Sequence, residues 1–256
     1  MNIAVIGSGN VGTHLAQLFY RHGHAITQVY SRTVAHARIL ADTVSAQAVA
    51  SLTELNIDTD LILIAVSDDA IAEIVVQLPS HSKAIVVHTS GSTPMDILSS
   101  FGQYGVIYPP QSLNKKVEAD LTQIPFAVEG SSKRVEDRLL AMMTQIASKS
   151  FLCSSKQRLA LHVAAVFANN FSNALCQMAY DILQQENLDF DLVRPLILET
   201  AQKVQNYIPE QVQTGPALRN DRKIIELHLQ FLRNHPEQAE IYQQLTDFIV
   251  KSRRKT

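Results

Sequence analysis

Residues 2–19, NIAVIGSGNVGTHLAQLF, constrain the fold more tightly than any other stretch of the chain. A β-type run, NIAVI, passes directly into Gly7, Gly9 and Gly12, and these open an amphipathic helical segment. In such a strand, turn and helix unit the first glycine makes the tight turn. The second lets the backbone approach a pyrophosphate, and the third lets the helix pack close to the strand. The helix start offers an anion N–H groups without intrahelical partners and the positive end of its dipole. Gly7, Ser8, Gly9, Asn10, Val11 and Gly12 are therefore the expected nucleotide-binding positions of this turn.

The pattern continues. Apolar runs recur at 25–30, 61–66, 83–89, 104–109 and 124–130, with helical stretches at about 11–22, 33–41, 69–78 and 132–148. Continuous Val/Ile/Leu runs, without alternation, mark strands buried on both faces of a parallel sheet. After KSFLCSS (149–155) the strand signal stops, and helical periodicity holds at about 156–186, 190–206, 221–234 and 236–251. The expected fold class is α/β: a doubly wound, mostly parallel Rossmann sheet followed by an all-helical C-terminal domain. We expect a nucleotide-binding domain over 1–153 and a helical substrate and dimerisation domain over 154–256. At 256 residues and 46% hydrophobic content the chain has ample material for a core.

The end of the second strand decides which dinucleotide fits. NAD binders usually present Asp or Glu there to hold the ribose 2′-hydroxyl. This chain reads VYSRT, and its first acidic residue is Asp42. A 2′-phosphate would meet the Ser31 hydroxyl and the Arg32 guanidinium, so the expected cofactor is NADP. The competing reading is that Ser31 and Arg32 cap a surface helix.

Ligands in such sheets sit beyond the carboxyl ends of the strands. That rule points to AVSDDAI, HTSGS and YPPQS. Val66, Ser67 and Thr89 are expected at the cofactor, with Asp68 or Asp69 capping the following helix. Ser90 is expected in catalysis, and Gly91, Pro110 and Gln111 at substrate; ordinary turn chemistry is the alternative for each. His88 reads as a histidine held by a hydrogen bond.

In HVAAVFANNFSNALCQ (162–177) the residues His162, Asn169, Asn173 and Gln177 share one stripe of an otherwise apolar helix. An unpartnered buried amide costs about 1–3 kcal/mol, so the stripe must face partners, a subunit interface or a wet cleft. If it faces the cofactor cleft, His162 is the candidate general acid and Asn169, Asn170 or Asn173 orient substrate. Leu159, Val163, Phe167 and Phe171 would then pack inside. The interface reading stays open, as does a core histidine for His162. In QTGPALRNDRKIIELHLQFL (213–232), Asn220 or Asp221 is expected to cap a helix that buries Ile224, His228 and Phe231, with His228 paired in the core. Arg219, just before that helix, needs an anion such as Asp221, cofactor phosphate or substrate carboxylate.

A net charge of -2 leaves no basic footprint for nucleic acid, and the KSRRKT tail reads as a solvated end. Cys153 and Cys176 show no metal-ligand spacing, so no metal site is expected; reduced thiols fit a cytoplasmic setting. The N-terminus lacks a signal-peptide pattern, and no run of about 18 apolar residues suggests a membrane span.

GSGNVG, AVSDDAI and HTSGS resemble the Rossmann domain of the 6-phosphogluconate-dehydrogenase-like NADP oxidoreductases, whose relatives include pyrroline-5-carboxylate reductase, β-hydroxyacid dehydrogenases and deazaflavin-dependent NADP reductases. YPPQS, LHVAAVFANNFSNAL and TGPALRNDRKIIELHL resemble the helical domain of unassigned function that accompanies such Rossmann domains in bacteria. The comparable helix of β-hydroxyacid dehydrogenases carries a lysine with asparagine one turn on; here Lys156 lies earlier, and His162 with Asn169 or Asn170 occupies that region. The resemblance implies a homodimer of two-domain chains with the site between Rossmann face and helices. The resulting expectation is an NADP(H)-dependent oxidoreductase reducing a small carbonyl or imine, with His162 as proton donor. A non-catalytic NADP-binding sensor or scaffold is the alternative.

Overall fold

The computed structural model describes residues 1–56, 58–79, 83–117 and 119–253. It divides into two compact units, Met1–Phe171 and Ser172–Thr256. In chain order the first unit holds β1 (Asn2–Ile6), α1 (Asn10–Arg21), β2 (Ala25–Tyr30), α2 (Val34–Thr43), β3 (Gln47–Val49), β4 (Leu61–Ile64) and α3 (Asp68–Gln77). There follow β5 (Ile85–His88), β6 (Tyr104–Tyr108), β7 (Ala127–Gly130), α4 (Lys133–Ile146), β8 (Phe151–Leu152) and α5 (Ser155–Ala165), continued by a π-helical turn at Val166–Phe171.

Among the described residues the strands form one eight-stranded sheet in the order β3-β2-β1-β4-β5-β6-β7-β8. Every neighbouring pair is parallel except β6 and β7. Side chains alternate across it as strand pleating requires. Ile3, Val5, Leu61, Leu63, Ile85 and Val87 enter a core shared with α1, α2 and α4. Ala4, Ile6, Ile62, Ile64 and Val86 enter a second core under α3. Both faces are covered, which is why these strands read as unbroken apolar runs. The chain winds outward from β1 to β3 and then returns to β4 beside β1. The carboxyl ends of β1 and β4 thus flank the point where the winding reverses, the place where open α/β sheets bind ligands.

Local sequence sets the helix starts. Ser154 and Gln157 form a reciprocal capping box at α5, and Ser132 caps α4. The expected cap at α3 is corrected: its N-cap is Ser67, with no side-chain bond, and Asp68 instead accepts from the Ser92 hydroxyl.

The second unit is helical: α6 (Ser172–Gln185), α7 (Arg194–Asn206), α8 (Pro216–Arg219), α9 (Arg222–Phe231) and α10 (Pro236–Arg253). Asp221 caps α9 by accepting from the Ile224 N–H, while Asn220 takes a left-handed conformation. The expected buried face of α9 is corrected. Ile225 is buried, Ile224 is half-buried, and His228 and Phe231 are exposed. His228 Nδ1 lies 2.8 Å from Tyr242 Oη, so the histidine is paired, but at the surface. Arg219 is the last residue of α8, where a cation complements the helix dipole and no anion is required.

The expectation that Leu159, Val163, Phe167 and Phe171 pack inside is also corrected: they are 45%, 47%, 64% and 49% exposed. Their helical spacing is sound, and Phe167 and Phe171 meet edge to face with ring centroids 5.1 Å apart. The helical stretch Ser155–Gln185 is long and apolar enough, by length and composition alone, to cross a membrane. His162, Asn169 and Asn170 interrupt its apolar surface, while Arg158 on the same stretch is buried.

Candidate functional site

The glycine turn closes on itself by contact. Gly7 has φ +111°, and a Cβ there would lie 2.3 Å from the Ala65 carbonyl oxygen after β4. A Cβ on Gly12 would lie 2.2 Å from the Gly7 carbonyl oxygen. Neither position accepts a side chain without moving backbone. Gly9 differs: nothing lies within 4 Å of a Cβ built on it, so the turn keeps one open face. That face sits at the start of α1, where Gly9 is the N-cap, no side chain caps the helix and no acid occupies the first turn. Asn10 and Val11 follow in that first turn. The arrangement suits a pyrophosphate.

Ser8 is buried and donates to Ser31 Oγ at 2.9 Å, tying the turn to the end of β2. Arg32 follows on the surface. The capping alternative for this pair is not what the structure holds, because α2 starts at an N-cap Thr33 with no side-chain cap bond. Ser31 and Arg32 are left beside the turn, with no carboxylate at the strand end. Val66 packs against Gly7, and Ser67 opens α3 beside it.

A second cluster forms beyond β5 and β6. Tyr108, at the end of β6, has its Oη 3.0 Å from His162 Nδ1 on α5. The rings meet edge to face with centroids 5.9 Å apart. Gly91 abuts the same imidazole: a Cβ there would lie 2.7 Å from His162 Nδ1. A cavity of about 400 Å³ opens beside the pair, lined by Tyr108, Pro110, Gln111, His162, Asn169 and Asn170 among others. Burial pushes the Tyr108 phenol pKa up, and Arg158 nearby pulls it back in part. The π turn widens the helix to about 4.4 residues per turn, and both Asn169 and Asn170 lie on it and line the cavity. Asn173 and Arg219 belong to the second unit, as does Gln177, which donates to Asp181.

The loop after β5 is anchored from below. Arg158 is 1% exposed and donates from Nε to the Ser90 carbonyl at 3.0 Å, to the Thr93 carbonyl and to Glu129 at the end of β7. Glu129 also accepts from the Ser155 N–H at 2.7 Å. This buried pair is fully hydrogen-bonded, the condition under which such a pair is tolerated. It fixes α5, and with it His162, on the HTSGS loop.

Thr89 and Ser90 are buried in that loop, and Ser90 Oγ accepts from the Ser92 and Thr93 N–H groups at 3.1 and 2.9 Å. Ser90 here does a turn's work and is not among the residues lining the cavity. His88 is wholly buried. Its Nδ1 accepts from the Ser90 N–H at 3.2 Å, and its Nε2 has no partner among the described residues. Burial first, then Arg158, lowers its pKa to about 4, so it is neutral at ordinary pH.

Reading the sequence missed Tyr108 as the partner of His162, and missed Arg158 and Glu129. Arg158 was visible as a cation one turn before His162 on the same helix face. Nothing in the sequence pairs it with Glu129. Among the described residues no three His, Cys, Asp or Glu side chains gather into a metal site.

The chain matches a Rossmann-like domain over residues 1–111 and a domain of unknown function, DUF2520, over residues 124–249. No curated protein sequence matches it. Among solved structures, a Bacteroides fragilis protein assigned as an NADP oxidoreductase is similar at 39% identity and TM-score 0.88, with 98% of each chain covered. A Thermotoga maritima protein is 24% identical at TM-score 0.75, covering 99% of this chain and 98% of its own. An imine reductase from Myxococcus stipitatus in complex with NADP+ is 16% identical at TM-score 0.68, covering 100% of this chain and 93% of its own, a likeness of fold. An α/β chain with a glycine-lined turn at its sheet crevice and a DUF2520 region after it, this protein belongs to the same family as the Bacteroides fragilis protein.

Proposed function

We propose that the protein is an NADP(H)-dependent oxidoreductase that reduces a small carbonyl or imine compound, with His162 as proton donor. The observation that carries this reading is the 3.0 Å Tyr108–His162 contact on the wall of an amide-lined cavity at the carboxyl end of the sheet. The open face at Gly9 and the acid-free end of β2 suit NADP. NADPH, when bound, supplies hydride to the substrate carbon.

The chain's own residues handle the proton. In the imidazolium form, His162 Nδ1–H donates to Tyr108 Oη, and Nε2–H is the proton given to the substrate oxygen or nitrogen. The neutral ring then keeps Nδ1–H on Tyr108, so the phenol fixes one tautomer and one ring orientation. Gln111, Asn169 and Asn170 present amides that orient a polar substrate. Tyr108 is a positioning residue, acting through His162.

The exposed Leu159, Val163, Phe167 and Phe171 support a homodimer formed through this helical region, since contiguous apolar surface is rarely left bare on a monomer. The free thiols of Cys153 and Cys176 support a cytoplasmic setting.

The test is NADPH oxidation over a panel of keto acids and cyclic imines, with wild type and His162→Ala. Turnover that falls about 10²- to 10⁴-fold in the variant, with NADPH binding intact, is expected. NADPH binding without turnover of any panel member would favour the sensor or scaffold reading, and equal turnover by the variant would remove His162 from the chemistry.

A further inference from the structure

The segment that leaves the substrate loop after Gln111 returns over the glycine turn. His14 Nε2, on α1, lies 3.1 Å from the Asn114 carbonyl oxygen, and the Lys115 N–H donates to Asn10 Oδ1 at 3.1 Å. The Lys116 N–H donates to Asn114 Oδ1 at 3.0 Å, which fixes the turn of the loop itself. The two ties to α1 place Lys115 and Lys116 on the wall of a cavity of about 310 Å³ between α1 and α2. Its other walls include Ser8, Thr13, His36 and Thr43, and among the described residues no acidic one lines it. Ser8 is the residue that holds Ser31 at the end of β2. Among the described residues neither lysine is in a salt bridge. Two exposed lysines without a salt-bridge partner among the described residues therefore stand beside hydroxyls and an imidazole, next to the strand end that selects the dinucleotide.

We infer that Lys115 and Lys116 form a third wall of the 2′-phosphate site, so that preference for NADP over NAD is set jointly by Ser31 and Arg32 and by a loop about 80 residues further along the chain. This rests on the NADP reading above. A 2′-phosphate carries about -1.5 to -2 charge near neutral pH, more than the single Arg32 guanidinium balances. Lysine serves such a group as a mobile point charge and needs no bidentate geometry. The loop ties explain why the charges stay in place: Asn10 and His14 hold the backbone, leaving only the side chains to adjust. The same loop joins the Gln111 side of the substrate cavity to the nucleotide turn.

The test compares binding of 2′,5′-ADP and 5′-ADP, by calorimetry on the full chain, for wild type, Lys115→Gln/Lys116→Gln and Lys115→Arg/Lys116→Arg. The expected results are wild-type preference for 2′,5′-ADP and a roughly 10- to 30-fold loss of its affinity in the glutamine pair. The glutamine pair should change 5′-ADP binding less than about threefold, and the arginine pair should retain the preference. Raising salt should erode the preference in wild type and much less in the glutamine pair. Melting temperatures within about 2 °C of wild type are expected for these exposed positions. Wild type without preference for 2′,5′-ADP would overturn the NADP reading itself. A wild-type preference that survives in the glutamine pair would overturn only the role of the loop. Equal losses for both probes would move the lysines to the diphosphate and overturn it as well.

Discussion

The two units contain similar side chains and treat them differently. In the first, alternate residues of each strand enter one of two cores, and Ile3, Val5, Leu61, Ile85 and Phe126 are fully buried. In the second, among the described residues, only Ile225, Leu232 and Thr246 are buried, while Leu192, Leu196, Ile208 and Phe248 are each about 60–70% exposed. A sheet wrapped by helices on both faces completes its core within one chain. The amphipathic helices of the second unit leave much of their apolar surface uncovered, the kind of surface the proposed homodimer would bury. The catalytic proposal thus draws on the covered part of the first unit, and the assembly proposal on the exposed apolar residues at the end of that unit, Leu159 to Phe171, and on those of the second.

The largest effect expected breaks this contrast in the helical unit. Leu196→Glu with Phe248→Glu should convert the proposed dimer, of twice 28.4 kDa, to monomer or aggregate in multi-angle scattering. A wild-type monomer with well-dispersed, cooperative unfolding would remove the comparison. Next, within the sheet unit, Arg158→Met strands Glu129, 14% exposed at its side chain, without its cation. A loss of about 3–5 kcal/mol is expected by denaturant titration, and Arg158→Met/Glu129→Gln should recover most of it. No recovery would mean the guanidinium's bonds to the Ser90 and Thr93 carbonyls dominate.

A pH titration sharpens the same point. The unfolded His88 ring takes a proton near its ordinary 6.5, but the folded ring refuses one until about 4. Between those values the unfolded chain binds more protons, so this contribution is complete above about 6.5 and is lost as pH falls through the window. It is worth about 3 kcal/mol at its fullest. The wild-type stability minus that of His88→Asn should fall across that window; a flat difference would contradict it. The smallest effect is at the proposed site. Tyr108→Phe removes a hydroxyl from His162 without emptying space, and kcat should fall roughly tenfold with NADPH affinity unchanged. An altered pH profile for kcat would mark the role as positioning His162, and an unaltered one would leave Tyr108 as packing alone.

Much of the sheet was legible because strands covered on both faces leave no polar alternation to confuse with a helix. β3 and β8 were not, being three and two residues long, too short to show a period. The glycine turn was legible because its three glycines follow a strand and open a helix within one short stretch, although the Ala65 carbonyl that requires Gly7 comes from the end of β4. The cluster around His162 was legible only in parts. His162, Pro110, Gln111, Asn169 and Asn170 line one cavity, and α-helical spacing did not foresee the π turn at Val166–Phe171 that carries both asparagines. Ser90 looked chemical in the sequence, but its hydroxyl is engaged by the Ser92 and Thr93 N–H groups. The Tyr108–His162 and Arg158–Glu129 pairs join residues 54 and 29 positions apart, and no local pattern records such a meeting.

The most direct measurement is calorimetric titration of Gly9→Ala with NADPH beside wild type, with melting curves of both. Since nothing lies within 4 Å of the added methyl, the fold should be unchanged while nucleotide affinity drops at least tenfold. Equal affinity in the two proteins, or no binding in either, would contradict the assignment of that open glycine face to a dinucleotide.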